Sequence, residues 1–410
     1  MTWAAGVAGG LVVLVAAAEL VARWWIRARS GYYLWPPRFR CEVRQQLDVF
    51  PQMEPHVRID VNAEGERAGP VSRRRDVFRV LAVGGSPVEC LSLGQATSWP
   101  GALERLLQSP ENLRRLGAAG VHVGNIGRSA IASRHLDLVL ERVLPRYPRL
   151  SGIVIMIGGN DVQQWLAAGA PATLSHDPPS ADDTFAVHPE LSFAWTPGRS
   201  AVSEVAHRLK RTWLRPLNVW NLEWVRNARL MRAEATEVRA TVPDPAPMLR
   251  RFDYHFRRLL DRACAHADRV VVARQPWLDK VYTREEMRRL WHGGLGVPWR
   301  EHIDVFYSLD VVNHLMGLLD RRVIAIADEL GIPHVDLRQA VPSDLDHYYD
   351  YMHFTAAGAR LVAAVVADAL LESQRPTAAR SARSGPMLRP EVTVPQVLEG
   401  RRGWDAHARP

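Results

Sequence analysis

Five short apolar runs, rich in Val and Ile, constrain this 410-residue chain more than any other feature. They occupy residues 78–83, 121–123, 152–157, 270–273 and 332–336. Runs this short are not independent helices; they suit strands buried on both faces, as in a parallel sheet. Between them, apolar residues recur at spacings of three and four: Leu136, Val139, Leu140 and Val143; Phe256, Leu259, Leu260 and Ala263; Val311, Leu315, Leu318 and Leu319. That spacing lays one apolar stripe along a helix. Strands alternating with helices predict an α/β architecture around a mainly parallel sheet. Sites in such sheets form beyond the strand carboxyl ends. Ser86, Gly127 and Asn160 each lie just past a predicted strand.

Outside this pattern the chain divides further. From Thr2 to Ala18 no residue is charged, and Glu19 alone interrupts the run to Ala22. About 20 apolar residues span a bilayer as a helix, so residues 1–29 read as a single-pass transmembrane anchor, with Trp24 and Trp25 at the interface. Arg23, Arg27 and Arg29 follow the span and no basic residue precedes it; the positive-inside rule alone would therefore leave the remainder in the cytoplasm. Residues 30–75 read as a linker or lead-in strand region, and 76–372 as the main folded domain. Over 100 residues separate the third and fourth strands, far more than a crossover needs. The part at about 165–250 reads as an inserted lid. From Gln374 to Pro410 the Arg-, Pro- and Ser-rich chain lacks periodicity and reads as a disordered basic tail.

Charge excludes less than it first suggests. The net charge is +8, but seven Arg against three acids place +4 of it in the tail. Only Lys210 and Lys280 among the 52 basic residues are lysines. No basic stripe interleaved with aromatics appears, so nucleic acid is not expected as a partner. Cys41, Cys90 and Cys264 are an odd, widely spaced set without C-x-x-C spacing. They support neither a disulfide framework nor a zinc site and read as core residues.

The chemistry lies in three short motifs. Gly84-Gly85-Ser86 follows the first strand, Gly158-Gly159-Asn160-Asp161 the third, and Asp350-Tyr351-Met352-His353 precedes an alanine-rich helical stretch for which Thr355 is the N-cap. A serine needs a base to take its proton, and the base needs a partner to hold its tautomer. His353 and Asp350, at i and i+3, supply these to Ser86. An amide N–H from Asn160, with the backbone N–H groups of Ser86 and Gly127, forms an oxyanion hole. Each motif alone is also an ordinary turn; their coincidence at strand ends gives them weight. Four other features read as structural. His292-Gly293-Gly294-Leu295-Gly296 is a flexible loop and not a phosphate loop, Cys264 and His266 end a helix, Gln275-Pro276-Trp277 follows the fourth strand and either lines the pocket or packs at the core or rim, and Asp336 ends a strand.

Taken as a set, the motifs resemble those of SGNH (GDSL-like) hydrolases, and in particular bacterial membrane-anchored members. The blocks are Val83-Gly84-Gly85-Ser86, Asn125-Ile126-Gly127, Gly158-Gly159-Asn160-Asp161 and Asp350-Tyr351-Met352-His353, within residues 76–372. The resemblance implies a three-layer α/β/α sandwich of flavodoxin-like topology. It implies Ser86 as nucleophile, His353 as base, Asp350 as its orienter, and Ser86, Gly127 and Asn160 as the oxyanion hole, with no metal or organic cofactor. Two departures stand out: Gly85 where the family usually has Asp, and Pro87 after the serine. The implied activity is hydrolysis of an ester, such as a short-chain ester or an acylated glycan. The alternatives are O-acyl transfer by the same residues and a non-catalytic glycan-binding or assembly role. The resemblance also places the catalytic domain outside the cytoplasm, against the arginine count.

Overall fold

The computed structural model describes residues 2–72, 74–190, 200–214 and 217–373; the basic tail expected from Gln374 onward lies outside them. Ten strands occur among these residues: β1 Arg40–Arg44, β2 His56–Asp60, β3 Val77–Gly84, β4 Gly120–Asn125, β5 Gly152–Met156, β6 Asn218–Asn221, β7 Glu237–Arg239, β8 Val270–Arg274, β9 Val305–Tyr307 and β10 His334–Asp336. Five form the main sheet in the order β10-β8-β5-β3-β4, every neighbouring pair parallel. Each predicted apolar run coincides with one of them. β5, at the centre, is buried along its whole length. Ile153, Val154 and Ile155 contribute about 2 kcal/mol each through burial.

The helices Trp99–Leu107 and Ala356–Glu372 pack together, as do Ser133–Val143, Ala246–His266 and Leu309–Leu330. Right-handed crossovers account for this grouping. The chain steps one way from β3 to β4, then back past β3 to β5, β8 and β10. Its helices therefore divide between the two faces, giving the expected three-layer α/β/α sandwich. Renumbered by chain order, the sheet reads 2-1-3-4-5, the flavodoxin-like order, whose ligand crevice opens where the direction of winding reverses. That point lies between the carboxyl ends of β3 and β5.

The additional segments are more than a peripheral addition. β1 pairs antiparallel with β2 and parallel with β6, which brings Cys41 opposite Asn218, while β7 pairs with β9. The lead-in and the insertion thus form one small sheet. The N-terminal helix Thr2–Arg29 packs against Ala201–Leu214. By length and composition its segment Ala8–Ala28 could cross a membrane. Glu19 bonds Arg23 and also accepts hydrogen bonds from the N–H groups of Ala201 (2.8 Å) and Val202 (3.2 Å). The one acid in the apolar run therefore caps a neighbouring helix.

Candidate active site

Ser86 begins the short helix Ser86–Glu89 directly after β3. The approach to it needs glycine twice. A Cβ on Gly84 would lie 2.0 Å from the Met156 carbonyl oxygen of β5, and one on Gly85 would lie 2.5 Å from Asn160 Nδ2. Glycine at position 85 therefore leaves room for the Asn160 amide. Pro87 sits in the first helical turn, where an N–H would have no intrahelical partner and a fixed φ helps. Its carbonyl accepts a bond from Trp99 Nε1 at 3.0 Å. The turn out of this helix passes through Cys90 at φ 51°. Buried Arg67 clamps it through bonds to the carbonyls of Glu89, Cys90 and Leu93.

His353 reaches Ser86 from the loop between β10 and the last helix. Its Nε2 lies 2.7 Å from Ser86 Oγ, and its Nδ1 lies 2.8 Å from both carboxylate oxygens of Asp350. Thr355 caps the last helix as expected, bonding Gly358 N–H and the Asp346 carbonyl, and so holds the loop. Tyr349 stacks on the His353 ring with an interplanar angle of 11°. Asp350 is 2% exposed. It accepts from the N–H groups of Met352 and His353 at 3.0 Å and from Trp291 Nε1 at 3.2 Å. Burial pushes its carboxyl up, but the charge and hydrogen bonds of His353, with those of its other neighbours, hold it well below the usual carboxylate range.

Asn160 follows β5 at the start of helix Gly159–Ala167. Its Nδ2 donates to the Ile131 carbonyl at 2.9 Å, which sets the plane of the amide and leaves the second N–H to point elsewhere. The preceding Gly158 has φ 134°, a conformation that needs glycine. Gln275 lies beneath this turn, accepting from Gly159 N–H at 3.1 Å, so it packs against the site and does not line it.

Gly127 is a correction to the sequence reading. Its N–H donates to Asn125 Oδ1 at 2.8 Å, so it is not a free oxyanion donor. Three residues past it, the chain turns through Ala130 at φ 62°. This left-handed conformation costs a non-glycine residue roughly 1–2 kcal/mol, and strain of this kind gathers at functional sites. The Ala130 carbonyl is held by Gln164 Nε2 at 2.7 Å, and the next carbonyl is the one bonded by Asn160. Among the described residues the N–H groups of Ser86 and Ala130 have no hydrogen-bond partner. Ala130 carries no glycine to signal its turn, so nothing in the sequence pointed to it.

The His292 loop is the second difference. It is not a free surface loop: His292 is 1% exposed, 4.0 Å from the Trp291 ring and 6.0 Å from that of His353. Burial pushes its imidazole down to about 3, so it is neutral. His292, Asp350 and His353 present ligand atoms within 4.8 Å of one another, a His-His-carboxylate set of the kind that binds zinc. A cation there would compete for the groups that orient His353. Cys41 and Cys90 are buried, with thiols pushed up by burial to about 12 and about 11. His266 bonds the Tyr147 carbonyl, and Asp336 caps a short helix and pairs with Arg274; these were expected to be structural.

No family model and no curated protein matches the chain. Among solved structures it is similar to the acetylxylan esterase Axe2 from Geobacillus stearothermophilus. The identity is 16%, the match covers 73% of this chain and 97% of that one, and the TM-score is 0.38. It is also similar to a protein of the G-D-S-L family from Desulfitobacterium hafniense DCB-2, described as lipolytic. There the identity is 13%, with 71% of this chain and 99% of that one covered and a TM-score of 0.36.

Proposed function

We propose that this chain is a serine ester hydrolase of SGNH type, held at a membrane by its N-terminal helix. The observation that carries the reading is the continuous hydrogen-bonded line Ser86 Oγ, His353 Nε2, His353 Nδ1 and Asp350, at the crevice between β3 and β5. His353 takes the Ser86 proton as the oxygen attacks the ester carbonyl. Asp350, ionised and buried, holds the imidazole tautomer and stabilises the imidazolium that forms. The negative charge that develops on the carbonyl oxygen falls to the free N–H of Ser86, the Asn160 amide and the Ala130 N–H, which takes the place first given to Gly127. One such donor is worth roughly 3 kcal/mol in the transition state. His353 then returns its proton to the leaving alcohol, and water releases the acyl group by the reverse steps.

An acylated glycan or short-chain ester fits this chemistry as substrate, and the exposed apolar residues Leu11, Val12, Leu14 and Val15 support the anchor. The test is hydrolysis of short-chain p-nitrophenyl esters by the full chain beside Ser86→Ala. Turnover reduced by at least about 10³-fold in the variant supports the reading. Equal background in both sinks it.

A further inference from the structure

The seam between helices Ser133–Val143 and Ala246–His266 holds a ladder of charges. Asp137 and Glu141 lie on one face of the first helix; Arg251, His255, Arg258 and Arg262 lie on one face of the second. At the lower end every charge is answered. Arg262 bonds Glu141 at 2.5 Å and Asp137 at 2.9 Å, and Arg258 and His255 Nδ1 reach Asp137 at 2.8 and 3.0 Å.

At the upper end the acids run out. Arg134 precedes Asp137 by three residues and Arg251 precedes His255 by four, so both stand one helical turn above the last carboxylate. Among the described residues neither guanidinium has a hydrogen bond or an ion pair. Arg251 is nevertheless only 7% exposed, and Arg134 Nε is buried without a partner. His255, 1% exposed, adds an unbonded Nε2. Desolvation pushes the Arg251 guanidinium down, with Asp161 pulling it back and Arg134 adding repulsion. Asp161 is itself occupied by the N–H (3.0 Å) and Oγ (2.5 Å) of Ser133.

Guanidinium groups drawn largely out of water are rarely left without an acceptor, because desolvating them uncompensated is costly. Here Arg134 Nε is buried and unpartnered, while the remaining nitrogens still reach solvent, where an anion could meet them. We infer that the upper end of this seam is a phosphate-binding site, with Arg134 and Arg251 as its two forks and His255 beside them. Two adjacent cations match the double charge of a phosphate, and planar forks match its oxygens. The site lies on the active-site edge of the sheet. Ser133, which precedes Arg134, bonds Asp161, which follows Asn160. It therefore places a phosphate on the substrate side of the crevice, and this second half rests on the ester-hydrolase reading.

The experiment titrates inorganic phosphate into the full chain carrying Ser86→Ala, at low ionic strength, by calorimetry. The same protein with Arg134→Gln, and separately with Arg251→Gln, is titrated beside it; partly exposed Arg134 tolerates the change even if buried Arg251 does not. One phosphate per chain, bound about tenfold or more weaker in each variant, is the expected result. No binding, or equal affinity in the Arg134→Gln protein, overturns the site. With Ser86 restored, the preference for a phosphorylated short-chain ester over its neutral counterpart is expected to fall about tenfold in Arg134→Gln. An unchanged preference overturns the substrate half and assigns the site to free phosphate or a lipid headgroup. Phosphate bound without hydrolysis of any ester overturns the ester-hydrolase reading and leaves the site standing.

Discussion

Two buried carboxyl groups flank Ser86, and their surroundings push them in opposite directions. Asp350 sits among donors: two backbone N–H groups, the Trp291 indole and the His353 imidazole. Its carboxyl lies well below the ordinary range despite burial. Glu89, three residues after the serine, accepts from Ser129 Oγ and feels Arg128 at a distance, yet burial dominates and pushes its carboxyl up. Burial alone therefore does not set the charge of an acid here. The number and charge of the donors aimed at it do. Asp350 is surrounded by donors that favour its charged form beside His353, whereas Glu89 ties the Ala130 turn to the Ser86 helix through Ser129.

The comparison breaks most visibly at Asp350. Asp350→Asn keeps the shape but offers the wrong partner to His353 Nδ1, and kcat for ester hydrolysis should fall by about 10⁴-fold. Activity retained within tenfold would remove Asp350 from the mechanism.

Stability should separate the two acids by sign. Asp350, depressed on folding, contributes stability that is present above its unfolded pKa of about 3.9 and is lost as pH falls below it. Glu89, raised on folding, contributes stability present below its unfolded value of about 4.3 and lost as pH rises through its folded value. Melting temperatures of Glu89→Gln minus those of the parent should therefore grow as pH rises from about 4.3 towards the folded value and level off above it, by roughly 2–4 °C for each kcal/mol. A difference independent of pH would show that Glu89 is ionised in the folded chain.

The smallest effect is expected at Trp291. Trp291→Phe keeps the ring against Trp224 and His292 but removes one donor from Asp350. A hydrogen bond to a charged acceptor is worth about 1.5 kcal/mol at the low end, so kcat should drop about tenfold. No change would leave the remaining donors sufficient.

How much of this was legible beforehand followed how local each feature is. The five strands, the Ser86 turn, the Asn160 turn and the Thr355 cap each depend on a few consecutive residues, and each stands where the pattern put it. Gly127 failed because a free N–H is a matter of competition: Asn125, two residues earlier, turns its own side chain onto it. The loop at His292 gave the appearance of flexibility because its glycines are visible in sequence and its packing against Asp350 is not. The lid-like insertion was visible only as excess length. Its pairing of β6 with β1 joins segments far apart in the chain, and no short-range periodicity encodes that.

The sequence by itself determined the order of strands and helices, the glycines that let the backbone turn at Ser86, and the side chains available at each turn. Those follow from sterics and hydrophobic period, which act within a few residues. Only the tertiary structure decided which way the buried acids and bases are pushed, which N–H groups remain free, and that Arg134 and Arg251 stand at one end of a helix seam with no carboxylate bonded to either. Desolvation and electrostatic fields depend on atoms brought together from distant segments, and so appear only once the chain has folded.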